Sequence, residues 1–183
     1  MPPAYVRTIR EELQYEYAKL ISRSAFNGEI KYKFVTNRFN ALREGKITIS
    51  GTNREWEKEA TLPRECVFCG AVLNLQKDHL IPVSRGGQNV AENMIWSCRN
   101  CNLSRSNKGI FEWLGLKKKD KLHRLVAGKY LKELFDLHKK QGTLDTCRDD
   151  LSVKLCPDCH NIHACVEWKT EGKLTCFCLE SIF

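Results

Sequence analysis

No stretch of this 183-residue chain approaches the ~20 consecutive apolar residues that a membrane span needs. Its opening, MPPAYVRTIREELQYEY, is too charged for a secretory signal. The chain therefore reads as cytoplasmic, with no membrane partner. It holds no internal repeat and no low-complexity tract. Aromatic residues make up 9% of it and form no platform on which unpaired bases could stack, which disfavours a binder of single-stranded RNA. Acidic residues are the scarcer charge, 22 against 30 Lys and Arg. The resulting +8 is concentrated, because the segment from Arg99 to Lys140 holds twelve basic and four acidic residues and carries the whole excess. A basic stripe of this kind attracts a polyanion, most often nucleic acid, by counterion release.

Cysteine, by contrast, is plentiful. The ten cysteines include close pairs at 66/69, 98/101, 156/159 and 176/178, a spacing that suits thiolate chelation better than a disulfide scaffold. Cys66-x2-Cys69 and Cys98-x2-Cys101 together can fill a tetrahedron around Zn2+. Four thiolates leave no open position, so this first site is expected to be structural.

Hydrophobic periodicity predicts a helix over about 6–23, with Val6, Ile9, Leu13, Tyr17 and Leu20 on one face, and a second around Phe34 to Leu42 ended by Gly45. ITIS at 47–50 reads as a strand, SGTN as a turn, and the charged stretch around Trp56 as helical. AVLNL (71–75) and HLIPVS (79–84) read as two antiparallel strands before the loop RGGQN. Leu80, Ile81, Val83, Ile95 and Trp96 are assigned to the core. The chain becomes helical again after Cys98, and Asp120 is expected to cap a longer helix that buries Leu122, Leu125, Val126, Leu131, Leu134 and Phe135 and closes at Gly142.

Asp78 and His79, Pro82, Gly86 and Gly87, Asn93, and CRNCN ending at Asn102 stand in order inside the cysteine frame. In these residues the stretch from Cys66 to Trp113 resembles the HNH endonucleases, the ββα-metal nucleases, with Asn102 where the family's name has its last His. The resemblance implies a metal-dependent endonuclease acting on double-stranded DNA, leaving 5′-phosphate and 3′-hydroxyl ends. A restriction-type enzyme is expected; a homing or phage-type nicking nuclease and a non-catalytic zinc-binding DNA module are the alternatives. Hydrolysis needs a base for the attacking water and a cation on the phosphoryl and departing oxygens. His79 is assigned the base, and Asp78 and the Asn102 amide oxygen are assigned Mg2+ or Mn2+ as hard oxygen ligands. The resemblance makes Asn93 the residue that pins the loop between the second strand and the helix, and so orients His79. Arg85, Arg99, Arg105 and Lys108 are candidate DNA contacts.

At the C-terminus, Cys156, Cys159, Cys176 and Cys178 are expected to bind a second zinc across a hairpin, with His163 or Cys165 able to replace one of them. Cys147 and Cys165 otherwise read as small apolar packing residues. The expected architecture is α+β: a mainly helical protein around a ββα-metal core, with a small zinc-ribbon-like module. Its regions are a helical one at 1–60, the HNH core at 61–115, a basic helix at 116–145 and the Cys-rich module at 146–183. Double-strand cleavage by one core per chain implies a homodimer or two sequential nicks.

Overall fold

The computed structural model describes residues 2–49, 63–170 and 172–183. The expected SGTN turn and the helix around Trp56 lie outside them. The chain forms two compact units, one from Met1–Ile49 with Leu134–Phe183 and the other from Ser50–Glu133. No described helix is long and apolar enough to cross a membrane.

In the first unit, α1 (Ile9–Ala25) starts at Thr8 because a capping box is available there. Thr8 Oγ1 accepts from the Glu11 amide at 3.2 Å, while Glu11 Oε2 accepts from the Thr8 amide at 3.3 Å. The face carrying Ile9, Leu13, Tyr17 and Leu20 is buried as expected. α2 (Tyr32–Arg43) packs on it through Val35, Phe39 and Leu42, with the Tyr15 and Phe39 rings edge to face at 5.9 Å. Gly45 follows with φ +70°, as a helix stop requires. The expected strand at 47–50 does not form over its described residues. The Ile47 amide turns back to the Ala41 carbonyl at 3.3 Å instead of pairing with another strand.

The C-terminal part of the chain closes on this helix pair. Ile9 and Arg10 donate backbone hydrogen bonds to Thr146 and Leu144, and the Arg10 guanidinium grips Asp145 through two bonds of 2.8 and 3.0 Å. Thus the N-terminal helices and the Cys-rich segment share one unit. The hairpin expected at 165–178 is absent: among its described residues that segment contains the end of a helix, turns and the start of a 3-10 turn (Cys178–Glu180), and no strand.

In the second unit, β1 (Leu75–His79) and β2 (Met94–Cys98) form a two-stranded antiparallel ribbon with Lys77 opposite Trp96 and Asp78 opposite Ile95. α3 (Arg99–Arg105) follows directly, then α4 (Ile110–Lys118). The strands therefore differ from those expected. AVLNL contributes only Leu75 and HLIPVS only His79, while the second strand comes from MIWSC. Leu80, Ile81 and Ile95 are in the core, but Val83 is 56% exposed and Trp96 only half-buried. The last long helix, α5 (Arg124–Gln141), runs from the second unit into the first, and Gly142 follows it with φ +70°. Asp120 does not cap it, since it sits in a separate 3-10 turn, Lys119–Lys121, ahead of the helix. Leu122, Leu125, Val126, Leu131 and Leu134 are buried, and Phe135 is partly so. Near its end His138 is fully buried, its ring nitrogens 2.8 Å from Thr143 Oγ1 and 3.0 Å from the Leu179 carbonyl. Two four- to six-residue helices, α6 (Leu151–Lys154) and α7 (Ile162–Glu167), complete the chain with the 3-10 turns around them.

Candidate active site

The frame is built first. Cys66 and Cys69 lie on the tight turn before β1, where the Gly70 amide bonds the Cys66 carbonyl at 2.8 Å and Gly70 adopts φ +74°. Cys98 ends β2 and caps α3, its Sγ accepting from the Cys101 amide at 3.5 Å. The ligand atoms of Cys66, Cys69, Cys98 and Cys101 all lie within 4.8 Å of one another. Desolvation alone would raise the Cys66 thiol, but the backbone N–H groups of Cys98, Phe68 and Cys69 outweigh it and bring the thiol down to about 7. Burial and the neighbouring sulfurs push Cys101 the other way. Four sulfurs at this spacing, with amides directed at them, have the chemistry of a tetrahedral zinc cage and fit that ion.

Closing the cage sets the ribbon against α3, and with it the doublet. Asp78 points inward and is 8% exposed, while His79 is half-exposed, as alternation along a strand requires. Asp78 Oδ1 accepts from Arg105 Nη2 at 3.0 Å, and Arg105 also donates to the carbonyls of His79 and Leu80. Arg105 is 1% exposed, so this expected DNA contact lies inside the fold and holds three consecutive residues of the chain. Nothing in its sequence neighbourhood marks it as buried; a cation three residues after Asn102 was the only signal. Burial outweighs the charge of Arg105 and holds the Asp78 carboxyl above the usual carboxylate range. Asp78 Oδ2 is buried without a hydrogen-bond partner. Asp78, His79 and Asn102 together line an open cleft of about 560 Å³.

The loop from Leu80 to Asn93 determines how His79 is presented. Asn93 is 1% exposed and clasps the loop from within: its Oδ1 accepts from the Ile81 amide at 2.8 Å, and its Nδ2 donates to the carbonyls of Ile81 at 2.9 Å and Gln88 at 2.8 Å. The loop it pins therefore joins the two strands, and is not one between a strand and the helix. Gly87 must lack a side chain here, since a Cβ would stand 1.9 Å from the Ile81 carbonyl oxygen and 2.9 Å from Asn93 Nδ2. Asn89, not singled out in the sequence, receives His79 Nε2 on its Oδ1 at 3.1 Å.

The remaining basic candidates separate. Arg85 meets Glu112 at 3.3 Å with its side chain only 11% exposed, whereas Arg99 and Lys108 are exposed. Within the basic segment Lys119 and Lys129 are also buried, the latter donating to the Met94 carbonyl at 2.8 Å, so part of the positive stripe is structural. Of the C-terminal quartet, Cys159, Cys176 and Cys178 are buried and Cys156 is half-buried; among the described residues only the first quartet brings its ligand atoms within 4.8 Å.

Residues 66–108 match the family described as HNH endonuclease, which supports nuclease chemistry for this segment and DNA as its substrate. No curated protein and no solved structure matches the chain.

Proposed function

We propose that the protein is a metal-dependent DNA endonuclease of the restriction type, hydrolysing phosphodiester bonds of double-stranded DNA. The observation that carries this reading is the shared cleft: inside the segment that matches the HNH endonucleases, a half-exposed histidine, an aspartate with one unpartnered carboxylate oxygen and an asparagine line one space. Asp78 Oδ2 and the Asn102 amide oxygen would hold Mg2+ or Mn2+, both being hard donors that such ions prefer. When bound, the ion supplies charge neutralisation at the phosphoryl and leaving oxygens.

His79 takes the proton from the attacking water. With Asn89 Oδ1 as acceptor, Nε2 bears a proton and Nδ1 is the basic nitrogen. Arg105 and Asn93 fix the backbone at His79 and just after it, so the imidazole is aimed before substrate arrives. Arg99 and Lys108, exposed and basic, are the cations assigned to the DNA backbone. The four-cysteine cage stays structural.

Nicking of supercoiled plasmid with Mg2+ or Mn2+, comparing the wild-type chain with His79→Ala, tests the assignment. The variant should lose about 10²- to 10⁴-fold in rate, the usual worth of a general base, and still bind DNA. Equal rates would remove His79 from the mechanism. Absence of metal-dependent cleavage by the wild-type chain on any DNA, with binding intact, would make this a zinc-held DNA-binding module instead.

A further inference from the structure

The C-terminal segment has a second concentration of sulfur that the nuclease chemistry leaves unused. Four of its cysteines, Cys156, Cys159, Cys165 and Cys178, line one cavity of about 260 Å³. Cys176 is buried but is not part of that wall. The four come from different local elements: Cys156 opens a 3-10 turn and Cys159 follows it, Cys165 stands on α7, and Cys178 opens the last 3-10 turn. Sequence spacing favours 176/178 as a pair, yet the fold brings Cys165 to the cavity in place of Cys176.

Two further features point to a cation. The Asn161 amide donates to Cys159 Sγ at 3.4 Å and the Thr175 amide to Cys178 Sγ at 3.5 Å, the same device that places the Cys101 amide on Cys98 Sγ in the first cage. A neutral thiol is a weak acceptor, and amides aimed at sulfur favour the thiolate. The surrounding structure has need of a staple. Helices of four and six residues, with no strand among the described residues of 151–183, are too short to hold themselves.

We propose that Cys156, Cys159, Cys165 and Cys178 form a second structural zinc site, distinct from the cage around the nuclease core. Its sulfurs are less tightly gathered than those of the first cage, so binding draws the cavity walls inward onto the ion. Cys176 is a packing residue in this arrangement. The site clamps the Cys-rich segment and takes no part in hydrolysis.

The test is metal content of the full chain, prepared anaerobically under reducing conditions with zinc and then exchanged into cobalt. Wild type should hold about two ions per chain, and Cys165→Ser or Cys178→Ser about one, the second cage having lost a thiolate. Cys176→Ser should keep both. Because a serine variant can fail to fold, the wild-type cobalt titration decides independently. The thiolate-to-cobalt charge-transfer absorption should climb to about two equivalents and end at about twice its one-equivalent value, since each cage supplies four sulfurs. A plateau at one equivalent overturns the site. Retention of both ions by Cys165→Ser, with loss on Cys176→Ser, overturns the ligand set. Cysteines found paired as disulfides in the reduced, metal-loaded chain do the same.

Discussion

Replacing Arg105 by Met removes the guanidinium while keeping a long apolar side chain in its place. Three acceptors lose their donor at once: the Leu80 carbonyl at 3.0 Å, the His79 carbonyl, and Asp78 Oδ1 at 3.0 Å. Asp78 is 8% exposed and its other carboxylate oxygen already has no partner, so the variant strands a buried charge. Removing one member of a buried ion pair costs about 3–5 kcal/mol, most of it from the charge left behind. If that is the cause, Asp78→Asn in the same background should relieve it. The double variant should then be less destabilised than the sum of the two single changes by about 0.5–3 kcal/mol, the range of coupling between contacting groups. Urea unfolding with zinc saturating gives each value, and an unchanged m-value confirms that the same surface is exposed. A loss below about 1 kcal/mol for Arg105→Met, or strict additivity in the cycle, would refute the account of Arg105 as the buried counter-charge of Asp78.

His138 gives a pH dependence in the first unit. Burial is the main cause that lowers its pKa to about 4, against 6.5 for an unhindered imidazole. The fold therefore holds the neutral ring; its stabilising contribution is complete above pH 6.5 and declines as pH falls toward 4, by about 2–3 kcal/mol. Urea midpoints at pH 7.5 and 4.5, compared with those of His138→Gln, isolate that share, and an equal fall in both proteins would exclude it. Gly87→Ala should push the loop away from Ile81 and Asn93, reducing plasmid nicking and stability together; a crystal structure of the variant with an unmoved loop would contradict the contact. Chelating zinc from the wild-type chain should unfold at least the second unit, since a structural zinc contributes about 10 kcal/mol or more, and circular dichroism during chelation measures it.

The parts legible in the sequence were those encoded locally. The apolar stripe of α1 repeats every three to four residues, and the members of each cysteine pair of the first cage lie three residues apart. The strands were misplaced because burial was read as pairing. Leu80 and Ile81 are as apolar as any core strand, but their backbone groups are satisfied by Asn93 and, at the Leu80 carbonyl, by Arg105, which take the place of a strand partner. The true first strand, LQKDH, is mostly polar because Gln76 and Lys77 face solvent. Arg105 illustrates the same limit for charge. A cation at the end of a short helix reads as a surface group, and only the fold reveals that it is an internal counter-ion. The C-terminal thiols were paired by nearness in the chain, whereas a cavity collects its walls from several turns.

One guanidinium that touches residues 78, 79 and 80 ties the Asp78–His79 doublet to the helix behind it as a single block. In the proposed nuclease, adaptation to different DNA targets would then come from what surrounds that block, in the largely exposed turns at 83–90 and 106–108. For anyone transplanting the chemistry into another scaffold, the portable unit is the doublet together with its clasp Asn93 and its anchor Arg105, and the doublet alone would arrive without an aim.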